Sequence, residues 1–273
     1  MSRWLITGCS TGIGRAIAVA ALDAGHSVVV TARRPDAVKD LVDAHPDRAV
    51  AVALDVTDRE QIAAAVAAAD GAFGGLDVLV NNAGYGYLSA VEEGDDAEVR
   101  SLFDTNFFGA VDMIKAVLPA MRAQGSGHIV NVSSMTGIVT NPPNTYYSCT
   151  KHALEALTEG LAKEVGPLGI RVCAIEPGAF QTDYLTRSMH EADSIDEYAH
   201  VTERKELMKA FGEHLPGDPA KLAAAVLRLV EMDDPPLRLL LGRDVLNAFR
   251  EKTAAWTADV DEWEAVTKAV NFD

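Results

Sequence analysis

Short apolar runs and longer amphipathic stretches alternate along the chain. Residues 4–7 are an apolar run that ends in Gly8-Cys9-Ser10-Thr11-Gly12-Ile13-Gly14; Ile13, Ile17, Ala20, Ala21 and Ala24 then recur at helical spacing until Gly25 stops the helix. Residues 28–32 are a continuous, β-branched run, the pattern of a strand buried on both faces. The spacing predicts a helix over 35–44, a strand over 50–54, a helix over 58–73 and a strand over 78–80. It goes on to predict a long helix over 95–121, a strand over 129–132, a helix over 144–165 and a strand over 171–175. A helix over 219–231, a last strand over 237–241 and a helical stretch from Val245 complete the pattern. Such alternation builds βαβ units with right-handed crossovers. The expected fold is α/β: a Rossmann-like, doubly wound parallel sheet of about seven strands, flanked by helices on both faces. No linker, repeat or low-complexity segment divides residues 1–273, so one domain is expected. The stretch 179–215 breaks the rhythm, with no clear strand and short polar helical patches; long excursions past a strand end are typically functional, so a substrate lid is expected there.

Gly8, Gly12 and Gly14 stand where the first strand turns into the first helix. Glycine permits a tight turn and close approach to a ligand, and the helix start offers free N–H groups to a phosphate. With the βα pattern around it, this spacing points to a bound dinucleotide. Just past the second strand, where an acid would hold an unphosphorylated ribose, stand Ala32, Arg33 and Arg34. A guanidinium there suits a 2′-phosphate, so NADP(H) rather than NAD(H) is the expected cofactor.

Charge narrows the function classes. With 40 acidic against 24 Lys and Arg residues, the net charge is −16, which argues against nucleic acid and anionic membrane surfaces as partners. The three cysteines, Cys9, Cys149 and Cys173, form no zinc or C-x-x-C spacing, and the expectation is that all three are packing residues in a reducing compartment. His190, His200 and His214 have no metal spacing either, and no metal is expected. Without a signal core at the N-terminus or a stretch of roughly 20 apolar residues, a cytoplasmic protein is expected.

Tyr147 and Lys151 are four apart on a predicted helix and so share a face. A phenol is a poor acid or base near neutrality, and a neighbouring ammonium favours its ionised form. Taken with the glycine turn, these residues fall into a known order. Thr7-Gly8-Cys9-Ser10-Thr11-Gly12-Ile13-Gly14 resembles the T-G-x-x-x-G-I-G turn of the short-chain dehydrogenase/reductase family, in its compact single-domain branch. Asp55, followed by Val56, resembles the family's adenine-contacting acid; Asn81-Asn82-Ala83-Gly84 its N-N-A-G motif; and Asn106 its active-site asparagine. Ser134, thirteen residues before Tyr147, resembles the catalytic serine, Tyr147 and Lys151 the Y-x-x-x-K pair, and Pro177-Gly178 with Thr182 the nicotinamide segment. Arg33 matches the NADP-preferring type, although Thr11 is not the extra basic residue that some such members carry in the glycine turn.

The resemblance implies hydride transfer between nicotinamide and a carbonyl or alcohol carbon. Tyr147 would be the proton donor, Ser134 would hold the substrate oxygen, Lys151 would assist Tyr147 and bind the nicotinamide ribose, and Asn106 would position a relay water. Residues just past the motifs, namely Tyr85, Tyr87, Thr136, Ile138, Phe180 and Tyr184, are expected to line the substrate pocket. Being mainly aromatic and apolar, they favour an apolar ketone, aldehyde or secondary alcohol over an anionic substrate. Ser133, Tyr146 and His152 adjoin the motif residues and are expected to be structural. The long helices 95–121 and 144–165 carry more apolar positions than one buried stripe needs, and the family commonly pairs through them, so a homodimer or homotetramer is expected. The alternative reading is a non-catalytic NADP(H)-binding sensor or scaffold; the presence of both Tyr147 and Lys151 weighs against it.

Overall fold

A computed structural model describes residues 1–211 and 215–272; His214 lies outside the described residues. The first half runs β1 (Arg3–Ile6), α1 (Gly12–Asp23), β2 (Ser27–Ala32), α2 (Lys39–Ala44), β3 (Ala49–Ala53), α3 (Arg59–Phe73) and β4 (Val78–Asn81). A short strand follows, β5 (Gly86–Leu88), then α4 (Asp96–Phe103), α5 (Gly109–Gln124), β6 (Gly127–Val132), α6 (Thr145–Val165) and β7 (Ile170–Pro177). The remainder is α7 (Tyr184–Arg187), β8 (Met189–Glu191), α8 (Ala199–Phe211), α9 (Pro219–Glu231), β9 (Arg238–Leu241), α10 (Arg243–Glu262) and α11 (Glu264–Lys268).

Seven strands form one parallel sheet in the order β3-β2-β1-β4-β6-β7-β9. Period-two alternation within its strands divides the interior in two. Trp4 and Ile6, Val28 and Val30, and Val78 and Val80 face a core closed by α1 and α9, with Leu41 of α2. Leu5, Val29, Leu79 and Ile129 face the opposite core, closed by α3, α5 and the end of α6. The strands read as unbroken apolar runs because both of their faces are covered. Helix ends are set locally: Asp58, Asp95 and Asp218 cap α3, α4 and α9 by accepting first-turn N–H groups. Gly74 and Gly125 close α3 and α5 in the left-handed conformation.

Three expectations need correction. The helix expected over 95–121 is interrupted by a π-turn, Asp104–Phe108, which carries the buried Asn106; such turns often mark functional positions. The helix expected over 35–44 begins as a 3₁₀ turn, Pro35–Val38. The stretch 179–215 does contain a strand: β8 pairs in parallel with β5 outside the main sheet. Gly86 makes that pairing possible, since a Cβ there would come within 2.5 Å of Met189 Sδ and 2.6 Å of the Tyr184 hydroxyl. The outer part of the same stretch is anchored by Lys205 of α8, whose ammonium donates to Glu93 Oε2 (3.0 Å), Ala192 O and Ser194 Oγ; both side chains of the pair are buried. Burial opposes ionisation of Glu93, yet the Ala90 N–H, the Lys205 ammonium and the Ile195 N–H hold its carboxyl below the usual range.

A second charge cluster, buried at Glu155 and Glu176 and open to solvent at Arg238 and Glu159, lies between α6 and the sheet. Arg238 of β9 donates to Glu155 (2.9 Å) and Glu159 (3.0 Å), and stands 3.7 Å from Glu176 of β7. Burial first, then the neighbouring Glu155, pushes the Glu176 carboxyl up to about 8. The folded protein thus keeps a proton there that the unfolded chain releases near pH 4.3, on the order of an ordinary Glu. Stability from this group is therefore fully present at low pH and declines as pH rises from the ordinary carboxylate range through about 8. Glu176→Gln, neutral at every pH, should match wild type near pH 4 and melt at least about 2–4 °C higher at pH 9, the shift expected for about 1 kcal/mol. Equal melting temperatures at pH 9 would show that the charge is fully compensated.

Candidate active site

The C-terminal ends of β1, β4, β6 and β7 open into one cleft of about 730 Å³, within the range of small-molecule sites. Its floor begins at the glycine turn. Gly8 and Gly12 adopt left-handed φ values of 73° and 62°, and Gly8, Ser10, Thr11, Gly12 and Ile13 all line the cleft. Gly14 does not line it. A Cβ at Gly14 would lie 2.2 Å from Asn82 Nδ2 and 2.6 Å from Gly8 O, so this glycine lets the loop after β4 press onto the turn. The contact is a double clamp. Thr7 Oγ1 accepts the N–H groups of Asn82 and Ala83, both at 2.8 Å, while Asn82 Nδ2 donates to the carbonyls of Thr7 (2.8 Å) and Gly8 (3.1 Å).

Arg33, Asp55 and Val56 form one end of the cleft, Asn82, Ala83 and Gly84 its middle, and Pro177, Gly178 and Thr182 the facing wall. Asp55 Oδ1 accepts from Thr57 N–H and hydroxyl, which fixes the loop after β3. The cradle therefore fits an extended dinucleotide: glycines where a pyrophosphate must come close, a cation at the ribose end, and neutral groups between.

At the other end, Ser134, Tyr147 and Lys151 share the cleft wall. Lys151 is buried; its Nζ donates to Val132 O (2.8 Å) and lies 5.6 Å from the Tyr147 ring centre. Ser134 Oγ accepts the Thr136 N–H at 3.1 Å, holding the 3₁₀ turn that follows β6. Asn106 stands behind the wall. Its amide accepts from Tyr85 N–H (3.0 Å) and donates to Tyr85 O (2.8 Å) and Thr150 Oγ1 (3.3 Å), so its side chain is committed to placing Tyr85.

Of the six expected pocket residues, Tyr85, Thr136, Phe180 and Tyr184 line the cleft. Tyr87 and Ile138 do not. Tyr87 is buried in β5 with its hydroxyl accepting Asp95 N–H (3.0 Å), because the β5–β8 pairing turns that side chain into the body. Ile138 lies past the 3₁₀ turn, where its carbonyl accepts from Lys252 of α10. The Tyr184 hydroxyl is buried without a hydrogen-bond partner among the described residues; burial and the adjacent Tyr147 raise its pKa well above the ordinary phenol value. Burial and then the charges of Glu98 and Asp104 push Tyr85 up to about 12, and its ring stacks on His190, centroids 4.8 Å apart.

The cleft is also lined by Met135, Asn144, Met189 and Met208, which the sequence pattern does not single out. Asp244 is another such residue: its carboxylate accepts Ala179 N–H at 2.7 Å and holds the Gly178 loop from the first turn of α10. No local motif marks any of these positions. Cys9 and Cys173 are buried as expected, whereas Cys149 is exposed and not a packing residue. Tyr146 donates to Val91 O and His152 contacts Ser148 O. Among the described residues no helix is long and apolar enough to cross a membrane.

The family model for short chain dehydrogenases matches residues 3–193. The oxidoreductase BOA17 of Botryotinia fuckeliana is 38% identical over 97% of this chain and 98% of its own length. A 3-ketodihydrosphingosine reductase of Bacteroides thetaiotaomicron is 36% identical over 93% of each chain. The crystal structure of a short-chain dehydrogenase from Streptomyces avermitilis matches with a TM-score of 0.93 and 43% identity, covering 99% of this chain and 100% of that one. Two more distant structures contain a nicotinamide cofactor. A serine dehydrogenase complexed with NADP+ has a TM-score of 0.76 and 26% identity, covering 87% of this chain and 93% of that one. A 3-ketoacyl-(acyl-carrier-protein) reductase from Brucella melitensis complexed with NADH has a TM-score of 0.74 and 28% identity, covering 87% and 95%. With the match spanning most of its length, this chain belongs to the short-chain dehydrogenase family of oxidoreductases.

Proposed function

We propose that the chain is an NADP(H)-dependent oxidoreductase acting on the carbonyl or secondary alcohol of a fairly apolar small molecule. The observation that carries this reading is the shared cleft: Tyr147, Lys151 and Ser134 stand at one end of it and Arg33 at the other, with the glycine turn between. When bound, the cofactor supplies or accepts the hydride. In the reductive direction the Tyr147 hydroxyl gives its proton to the substrate oxygen, which Ser134 Oγ also hydrogen-bonds. The Lys151 ammonium, 5.6 Å from the ring, stabilises the charge left on the phenol oxygen. Asn106 acts as a positioning residue, through Tyr85 and Thr150.

Part of the cleft wall supports the substrate class. Tyr85, Met135, Phe180, Tyr184, Leu185, Met189 and Met208 are apolar or amphipathic, and methionine adapts to varied shapes. A relative named as a 3-ketodihydrosphingosine reductase, which acts on a ketone, agrees with this class. The cofactor class rests on Arg33 in the cleft and Ala32 beside it, with no acid at that position. The neighbours named above were solved with NADP+ in one case and NADH in the other, so the cation carries the distinction.

Homo-oligomerisation belongs to the same reading. Leu118 of α5 and Leu157 of α6 are only half-buried, and Phe108 in the π-turn is exposed, so a second copy would cover apolar surface on these helices. Three outcomes are expected. Tyr147→Phe should lose at least about 100-fold in kcat, the low end for acid–base catalysis, with NADPH binding nearly unchanged; wild-type turnover in the purified variant would refute its role. NADPH should be preferred over NADH by at least about tenfold in kcat/KM, and Arg33→Ala should remove most of that preference by weakening NADPH alone; a wild-type preference for NADH would overturn the cofactor assignment. Light scattering at micromolar concentration should give a dimer or tetramer mass, and a monomer would count against the apolar helix faces as an interface.

A further inference from the structure

Beside the cleft, past the end of β2, lies a second cavity of about 390 Å³, lined by Ser10, Ala32, Arg33, Arg34, Ala37 and Arg187. Three guanidiniums meet there, and among the described residues that line it there is no carboxylate. In a chain of net charge −16, three cations lining one cavity that has no carboxylate in its described wall mark a place that favours an anion.

Two of the arginines follow β2, and the third comes from α7, far along the chain in the segment over the cleft. Arg187 also lines the main cleft, so it forms part of the wall between the two cavities. Its ion partner is Asp183, at 3.6 Å with both side chains well exposed. Such a pair is weak and leaves the guanidinium free to turn toward a stronger anion. One turn earlier on the same short helix is Tyr184, whose ring centroid is 6.1 Å from that of Tyr147. Helix α7 therefore reaches both the catalytic end of the cleft and the arginine cavity.

We infer that Arg187 is a further specificity-determining residue: with Arg33 and Arg34 it takes the 2′-phosphate of NADP, and so fixes α7 over the cleft with Tyr184 against Tyr147. This deepens, and rests on, the NADP(H) reading above. A guanidinium suits a phosphate oxygen through charge-assisted hydrogen bonds. NAD offers a neutral hydroxyl at that position, which leaves Arg187 with Asp183 and α7 without its tie.

The test uses the full-length protein and two pairs of probes: NADPH against NADH, and adenosine 2′,5′-bisphosphate against AMP. Dissociation constants are measured by titration, and hydrogen exchange is followed over 184–188. Arg187→Ala should weaken NADPH and the bisphosphate about five- to tenfold, the scale of one charge-assisted contact at an exposed site, and leave NADH and AMP within about twofold. The bisphosphate, which lacks the nicotinamide, should slow exchange over 184–188 in wild type but not in Arg187→Ala, and AMP should slow it in neither. Asp183→Ala breaks the ion pair but keeps the guanidinium, and should retain the full preference; its loss there would assign the effect to the fold of α7 instead. If Arg33→Ala loses the preference while Arg187→Ala keeps it, or if Arg187→Ala weakens all four probes alike, the inference is overturned and the NADP(H) reading stands. If wild type binds NADPH no better than NADH and the bisphosphate no better than AMP, it is the NADP(H) reading itself that fails.

Discussion

The hydroxyl of Thr7 holds this site together. It accepts two main-chain N–H groups from the loop after β4, and Asn82 returns two bonds to the carbonyls of the glycine turn. Four short contacts thereby lock two crossover loops at the central pair of strands, β1 and β4, where the sheet order reverses direction. That is where an open parallel sheet leaves a crevice. The lock also explains which glycine touches what. Gly8 and Gly12 turn the chain and stay at the cleft surface, whereas Gly14 is spent beneath it, giving up a side chain so that Asn82 can sit against Gly8. Substituting any member of this group would move both loops together, since their main-chain groups have no other partner within the lock.

From this fixed floor the rest of the cleft is built by elements that each hold one wall. Helix α6 carries Tyr147 and Lys151 one turn apart, and the Val132 carbonyl at the end of β6 captures the ammonium. The π-turn before α5 brings Asn106 inward, and its amide satisfies both main-chain groups of Tyr85. At the far side Asp244, from the first turn of α10, holds the N–H of Ala179. The cleft is thus framed by strand ends and long helices, the rigid part of the fold, with a short segment, α7 and β8, above it.

What the sequence reveals of this arrangement depends on range. The glycine turn, the N-N-A-G loop and the Tyr147–Lys151 pair are each local, so their spacing alone carries the geometry. The sheet's strands and flanking helices are legible for the same reason: runs buried on both faces read as unbroken apolar stretches. Tyr87 and Ile138 lie off the cleft because their orientation depends on partners far away in sequence. The β5–β8 ladder joins residues 86–88 to 189–191, and strands of three residues have too few positions to show a period. The three methionines of the cleft wall arrive on three separate elements, and nothing in their local sequence separates them from core residues. Asp244 is equally silent, because an acid in a helix's first turn is common for reasons unrelated to any site.

The segment over the cleft also divides in a way that composition conceals. Its polar character led to one lid over 179–215, yet its two halves are held by different physics. Glu93 and Lys205 are buried together with every contact pointing inward, and Ala90, Ala192, Ser194 and Ile195 complete the network. Separating them would strand a charge in the interior, at a cost of about 3–5 kcal/mol, so α8 is tied to the body in any state that keeps the fold. Helix α7 has no such anchor. Its ion pair, Asp183–Arg187, lies within the helix itself and ties it to nothing else; the hydrogen bond from Gly86 N–H to Ser188 O joins its C-terminal end to β5, a contact worth far less than one buried charge pair. The residues from Thr182 to Ser188 are therefore the least firmly tied part of the segment over the cleft. Those residues lie between the arginine cavity and Tyr147: Arg187 lines both cavities, and the Tyr184 ring lies 6.1 Å from that of Tyr147.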